Sequence, residues 1–482
     1  MTRVPRTARR SGTALAAAAA LVISPGVSLA SVRTPPQVEV NAVVAPGVSL
    51  ASSRMPSRVV THSVVAPGLS LASSVVPVQQ ATVTFEAMVA ELGNADPDVR
   101  LRAVQALKQA AYPESAVPLT RALADTDDRV QFEAIAAELN IWLADKVVPR
   151  RRVGLVVEVR TRISAPAIFE QGSNAIEPLP VPLDVLTALR TAGRDENARV
   201  AAEALYAFGA LAENAYGRDR AALLSGSAAD LAASLGAAHV DVRTAAMRVI
   251  ERVYGWRMGD AAVETTIGDA VVTALNDRDY TVRMTATRAL GAMRYDRGVQ
   301  GLTDIYQHYE RGASATAALT ALARIAHPSS LSLFTTALAG RDPNLRRAGI
   351  EGLARSGAAD QLSAITTALE KERNEELLLA GHFANVLLAN GPIDPLVDGL
   401  TRTRTEAVSL AYLQDVAPGR ARLFSPHMPD PKPNVRIDLL QVLGTSGDPD
   451  ALGIVQPLRQ DVDPQVARAA TRAASRLGGA SR

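Results

Sequence analysis

Six times along this chain a short polar marker is followed by an apolar residue and then by alanine and leucine at helical spacing. The copies are Asp96-Pro97-Asp98-Val99-Arg100, Asp241-Val242-Arg243, Thr281-Val282-Arg283, Asp342-Pro343-Asn344-Leu345-Arg346, Pro433-Asn434-Val435-Arg436 and Asp463-Pro464-Gln465-Val466. Aspartate can accept a hydrogen bond from the free backbone N–H groups of a helix start. Proline suits the first helical position, where its missing N–H costs nothing. Val99 is followed by Ala103, Ala106, Leu107 and Ala110, and Val282 by Ala286, Ala289, Leu290 and Met293, which is one stripe of an α-helix.

The spacing of the markers sets the architecture. Val99 and Val130 lie 31 positions apart, as do Val435 and Val466; Val282 to Leu345 is 63 and Leu345 to Val435 is 90, two and three units. Stripes near Leu377 and Val408 divide the longest gap. The wider gaps around Val200 and Val242 are expected to be extended loops. Between markers lies another apolar helix, as at 116–123, 330–338 and 451–458. A unit of two short helices cannot bury its apolar faces alone, whereas stacked units can. The expectation is an all-α chain, an α-solenoid of about 11 helix pairs over 81–147 and 183–482, with a small β-type insertion between. Composition agrees: 48% of residues are hydrophobic but only 4% aromatic, so alanine and leucine carry the packing and let helices approach closely.

The string Asp-Pro-x-Val-Arg-x-x-Ala-x-x-Ala-Leu closely resembles the short HEAT-like repeat, the class that includes phycobilin-lyase-type modules. The resemblance covers roughly 400 residues, and the period is shorter than the ~40–47 residues of long HEAT units. Tetratricopeptide repeats need a tryptophan pattern that Trp142 and Trp256 cannot supply, and the Thr-Pro-Leu-His of ankyrin repeats is absent. The resemblance implies a solenoid that binds another protein. A second reading is an enzyme accessory or chaperone module akin to the phycobilin lyases.

The arginines after the markers, Arg100, Arg243, Arg283, Arg346 and Arg436, recur one turn into their helices beside acids such as Asp96, Asp241 and Asp342. They are read as a structural ladder linking adjacent units. The competing reading is a ligand-binding basic stripe.

The segment 1–30 reads as a secretory signal: a basic stretch to Arg10, an apolar run from Thr13 to Ile23, then Ser28-Leu29-Ala30. With no cysteine in the chain there is no disulfide, no cysteine-ligated metal and no lipoprotein anchor. The expected location is secreted or periplasmic, with nothing left to enter the membrane after cleavage. Residues 31–80 are rich in Pro, Ser and Val and repeat at 21-residue spacing (Pro25, Pro46, Pro67), as a linker. That repeat is either drift after tandem duplication or a cell-wall spacer.

Residues 148–182 break the pattern. Arg150, Arg151 and Arg152 lead into the β-type run Val153 to Val159, and Gln171-Gly172-Ser173-Asn174 is turn chemistry. A small hairpin is expected, serving either as a connector or, through the three arginines, as a partner-binding site.

Chemistry is sparse. The six histidines are scattered, with no His-Glu-x-x-His, no nucleophile elbow and no phosphate loop. Neither catalysis nor a cofactor or metal is expected. Without the segment 1–30, which holds four arginines and no acid, the chain has two more acidic than basic residues. That balance argues against nucleic acid and anionic membranes as partners. A monomer that binds a protein is the expectation.

Overall fold

The marker segments do open helices, for the reason their residues suggest. In the computed structural model, which describes residues 84–144, 163–255 and 261–480, Asp96 caps the helix Pro97–Ala110 by accepting from the Asp98 N–H, 2.9 Å away. Asp342 does the same for Pro343–Arg355 through the Asn344 N–H at 2.8 Å. Asp241 departs from this pattern. It sits inside the first turn of Val240–Val253, whose N-cap is His239.

Eleven helix pairs follow one another among the described residues, counting the 3-10 segment Ala421–His427 as the first element of the tenth. That segment contains Pro426, which withholds an N–H from the helical ladder. The second helix of each pair packs on the second helix of the next, from Pro97–Ala110 to Pro464–Ala480. The expected stripes form the core: Val282, Ala286, Ala289 and Leu290 are all at 0% exposure, as are Val466 and Ala470. One continuous apolar cluster runs from Leu92 to Leu477.

Two details differ from the sequence reading. The wide gaps near Val200 and Val242 are filled by longer first helices, Gly217–Ser234 with 18 residues and Ala261–Ala274 with 14, against 8 in Ala116–Leu123. Alanine-rich segments of that length prolong a helix more readily than they form a loop.

The insertion also differs. Residues 163–182, expected as part of a small hairpin with its turn at Gln171–Asn174, hold the helix Ala165–Gln171 and a 3-10 turn, Ser173–Ala175. Pro166 at the helix start and the burial of Ile168 and Phe169 against the stack favour helix there. The β structure among the described residues amounts to one antiparallel bridge, Leu143 to Ile176. Arg150, Arg151, Arg152 and the run 153–159 lie outside the described residues, as do the segments 1–30 and 31–80, read above as a signal and a linker.

The stack curls back on itself. From the last helix, Arg468 reaches Glu177 (3.2 Å) and Arg476 reaches Glu213 (3.3 Å). Arg472, only 5% exposed, donates to the Ile176 carbonyl and to Asn174. Residues nearly 300 positions apart therefore meet, and the last repeat latches onto the third.

Candidate functional site

The marker arginines lie at the starts of the second helices and tie neighbouring units together. Arg100 makes a two-pronged pair with Asp125 (2.6 and 2.7 Å) and donates to the Asn94 and Ala95 carbonyls. Arg243 repeats this on Asp277 (2.8 and 3.0 Å) and on the Ala237 and Ala238 carbonyls. Arg346 takes Glu372 at 2.8 Å and Arg436 takes Asp461 at 3.0 Å. In each pair the acid comes from the turn before the next second helix, not from the preceding aspartate: Asp96 and Asp342 are occupied as caps. Arg283 has no acid at this position among the described residues. It donates to the Asp277 and Arg278 carbonyls and stacks on Tyr280. Burial pushes the Asp277 carboxyl up, but the hydrogen bonds from Arg243 and from the Asp279 N–H, with the charges of Arg243 and Arg278, together outweigh that and hold it below the ordinary range.

The opposite ends of the second helices form a different environment. Closure of the stack brings their C-terminal turns around a cavity of about 540 Å³. Arg252 is in the last turn of Val240–Val253, and Arg324 in that of Ala313–Ile325. Arg355 ends Pro343–Arg355, and Arg294 is the left-handed cap of Tyr280–Met293. Arg220 comes from Gly217–Ser234, and Arg476 from the last helix. All six line the cavity, together with only two carboxylates among the described residues, Glu213 and Asp415.

Each carboxylate is shared by two arginines. Asp415 accepts from Arg294 (2.5 Å) and from Arg355 (2.8 Å), and Glu213 lies 3.5 Å from Arg252 and 3.3 Å from Arg476. Arg355 is fixed further by Glu351 at 3.1 Å and by the face of Phe383. Although burial pulls its guanidinium down, Asp415 and Glu351 raise it above its usual value.

Two arginines are left without a carboxylate among the described residues. Arg220 donates to the Val253 carbonyl at 3.1 Å. Burial, and then the neighbouring Arg476, push its guanidinium below the ordinary range. The Arg324 guanidinium has no hydrogen bond or ion pair to any described residue. Neutral donors and acceptors (Tyr216, Gln414 and Gln441) complete the wall.

None of these cavity residues stands out in the sequence. A signal is present: Arg252, Arg294, Arg324 and Arg355 follow one another at roughly the repeat spacing. A basic residue in the last turn of a helix, however, ordinarily complements the helix dipole and attracts no attention. What brings them together is the closure.

The fold defines an α-solenoid of HEAT-like helix pairs, closed on itself around a basic cavity. No family model and no curated protein matches the chain. Among solved structures it is similar to an engineered protein, with a TM-score of 0.40, 17% identity, and coverage of 82% of this chain and 98% of that one. It is also similar to the complex of CpcE and CpcF of phycocyanin lyase from Nostoc sp. PCC7120, with a TM-score of 0.34, 20% identity, and coverage of 51% and 93%. A third is Kap121p bound to Ste12p, with a TM-score of 0.36, 13% identity, and coverage of 82% and 45%. The fold itself rests on the paired helices described above.

Proposed function

We propose that this protein is a non-catalytic scaffold, secreted or periplasmic, that holds a partner protein. The observation that carries this reading is the latch between the last repeat and Glu177, Ile176 and Glu213. With the arginine pairs between units, it turns a stack of small repeats into one frame. A frame already ordered before binding loses little conformational freedom when a partner docks, which favours affinity. Solenoids offer such extended surfaces because every unit adds area without needing a new core. The signal-like segment 1–30 supports export, and Arg150 to Arg152, outside the repeats in sequence, offer a charged docking point.

The test is affinity capture from native extract with the full chain and with a chain lacking residues 148–162, followed by reconstitution of any captured protein with purified chain. A stoichiometric complex in size-exclusion chromatography with light scattering is the expected result. A complex formed by the full chain alone assigns docking to the insertion, and equal complexes assign it to the stack. Failure of every captured protein to reconstitute would overturn the scaffold reading. Fractionation of cells expressing the chain with and without residues 1–30 tests export, which retention of both forms in the cytoplasm would refute.

A further inference from the structure

We propose that the cavity at the inner helix ends is a binding site for a small molecule bearing two or more phosphoryl groups. The site does not rest on the scaffold reading. The cavity of about 540 Å³ is lined by six arginines against two carboxylates; Glu351 behind the wall also pairs with Arg355, and Arg220 and Arg324 are left without a carboxylate among the described residues. Both carboxylates are already shared between two guanidinium groups each. Neither makes an ion pair with Arg220 or Arg324.

A partly buried charge without a counter-charge is costly, and a bound anion is the direct remedy. Helix geometry makes the excess informative. Apart from the first turn of Gly217–Ser234, which brings Arg220, these are C-terminal helix ends, whose carbonyl dipoles repel anions. An anion at those ends must be held by side chains, and the cationic side chains provided are all arginine, with no lysine among them. The guanidinium fork donates two parallel hydrogen bonds to a phosphoryl or carboxylate group. Charge density decides between the two. A phosphoryl group brings nearly two negative charges and three acceptor oxygens, against one charge and two oxygens for a carboxylate. Two phosphoryl groups can therefore engage Arg220 and Arg324 and still reach the arginines that share a carboxylate, in a space of this size. The volume falls in the range of small-molecule sites, ~300–1,000 Å³, and leaves room beyond the phosphates for a body that Tyr216, Gln414 and Gln441 can contact.

The arrangement also assigns roles. Arg294, Arg355, Arg252 and Arg476 are held in place by their carboxylates. Arg220 is anchored on the Val253 carbonyl through one amino group, and Arg324 can swing onto the ligand.

Calorimetric titration of the full chain with tripolyphosphate, citrate and an oligoglutamate peptide, at ~150 mM salt, tests the assignment. The expected result is one tripolyphosphate per chain, bound more tightly than citrate or the peptide. Substituting both unpaired arginines, Arg220→Gln with Arg324→Gln, should weaken it by about tenfold or more. Arg422→Gln, at an exposed pair with Asp450, should leave it unchanged. Should the double variant fail to fold by circular dichroism, Arg324→Gln alone serves, because no described residue pairs with that guanidinium; it should weaken binding by about threefold or more. The proposal is overturned if tripolyphosphate does not saturate a single site, or if the arginine variants bind it like the parent. It is equally overturned if citrate or the peptide binds more tightly. Absence of binding would mean that the arginines serve only to offset the helix ends.

Discussion

The Nε of Arg355 donates to Oδ2 of Asp415 across 2.8 Å, though 60 residues and two repeats separate them. Arg294 holds the other oxygen of the same carboxylate. One aspartate thus joins three helices that no local rule of the repeat would bring together, and it is the point on which the cavity wall is organised.

Asp415→Asn should therefore destabilise the protein by about 3 kcal/mol, because removing one member of a partly buried pair strands the other charge. Arg355, at 5% side-chain exposure, suffers most. The midpoint of urea unfolding, followed by circular dichroism, reads this out. Adding Arg294→Gln should restore part of the loss, and a midpoint unmoved by Asp415→Asn would show that the shared carboxylate carries no weight.

The ladder at the other helix ends predicts a contrast between two arginines. Arg243, at 4% exposure, satisfies Asp277 and two carbonyls, and Arg243→Ala should cost about 3 kcal/mol. Arg129 pairs with Asp98 and Asp127 in the open, with its side chain 59% exposed. Arg129→Ala should leave the urea midpoint where it is, as exposed pairs usually do.

Close helix approach is testable at glycine. A Cβ on Gly291 would sit 2.8 Å from the Cα of Ala321 in the next second helix, and backbone cannot yield there. Gly291→Ala should cost about 1–3 kcal/mol by overpacking. Gly453 has open space around it, so Gly453→Ala should be neutral or mildly stabilising through helix propensity. Thermal unfolding of the two variants side by side decides the matter.

Closure can be probed by shape. Arg468→Ala together with Arg472→Ala removes three hydrogen bonds to residues 174–177 while leaving the repeats themselves intact. Small-angle scattering should show a larger radius of gyration, with helix content unchanged. An identical scattering curve would locate the closure in apolar packing instead.

Asp438 supplies a pH dependence. Burial, then the nearby Glu406, push its carboxyl up to about 7, above the ~3.9 of an unfolded chain. Between those values the native chain keeps a proton that the unfolded chain has lost, so stability falls as pH rises through that window. Asp438→Asn should match the parent at pH 4 and exceed it at pH 8. The gain is bounded by about 1.4 kcal/mol per pH unit and reduced by partial solvent access. Melting temperatures across pH 4–8 give the answer; a difference constant with pH would rule out a raised carboxyl.

Much of the architecture is legible in the sequence because its determinants are local. Asp96 and Asp342 cap helices two residues away, Pro97 and Pro343 fit the first turn, and stripes such as Val282, Ala286, Ala289 and Leu290 declare their face. The short period of the repeat then leaves stacking as the way to bury those faces. The helix Ala165–Gln171 is not legible there, because its burial comes from contact with a distant repeat: Phe169 packs on Tyr206 and under Arg252.

The cavity lies beyond the reach of the sequence for the same reason. Each of its arginines looks like an ordinary helix-end residue. The curvature of a solenoid is a small rotation per unit, accumulated over many units, and no single repeat encodes where the last will arrive. Sequence alone determined the repeated helix pair. Only the tertiary structure decided that the stack meets itself, and so which charges face one another across the space it encloses.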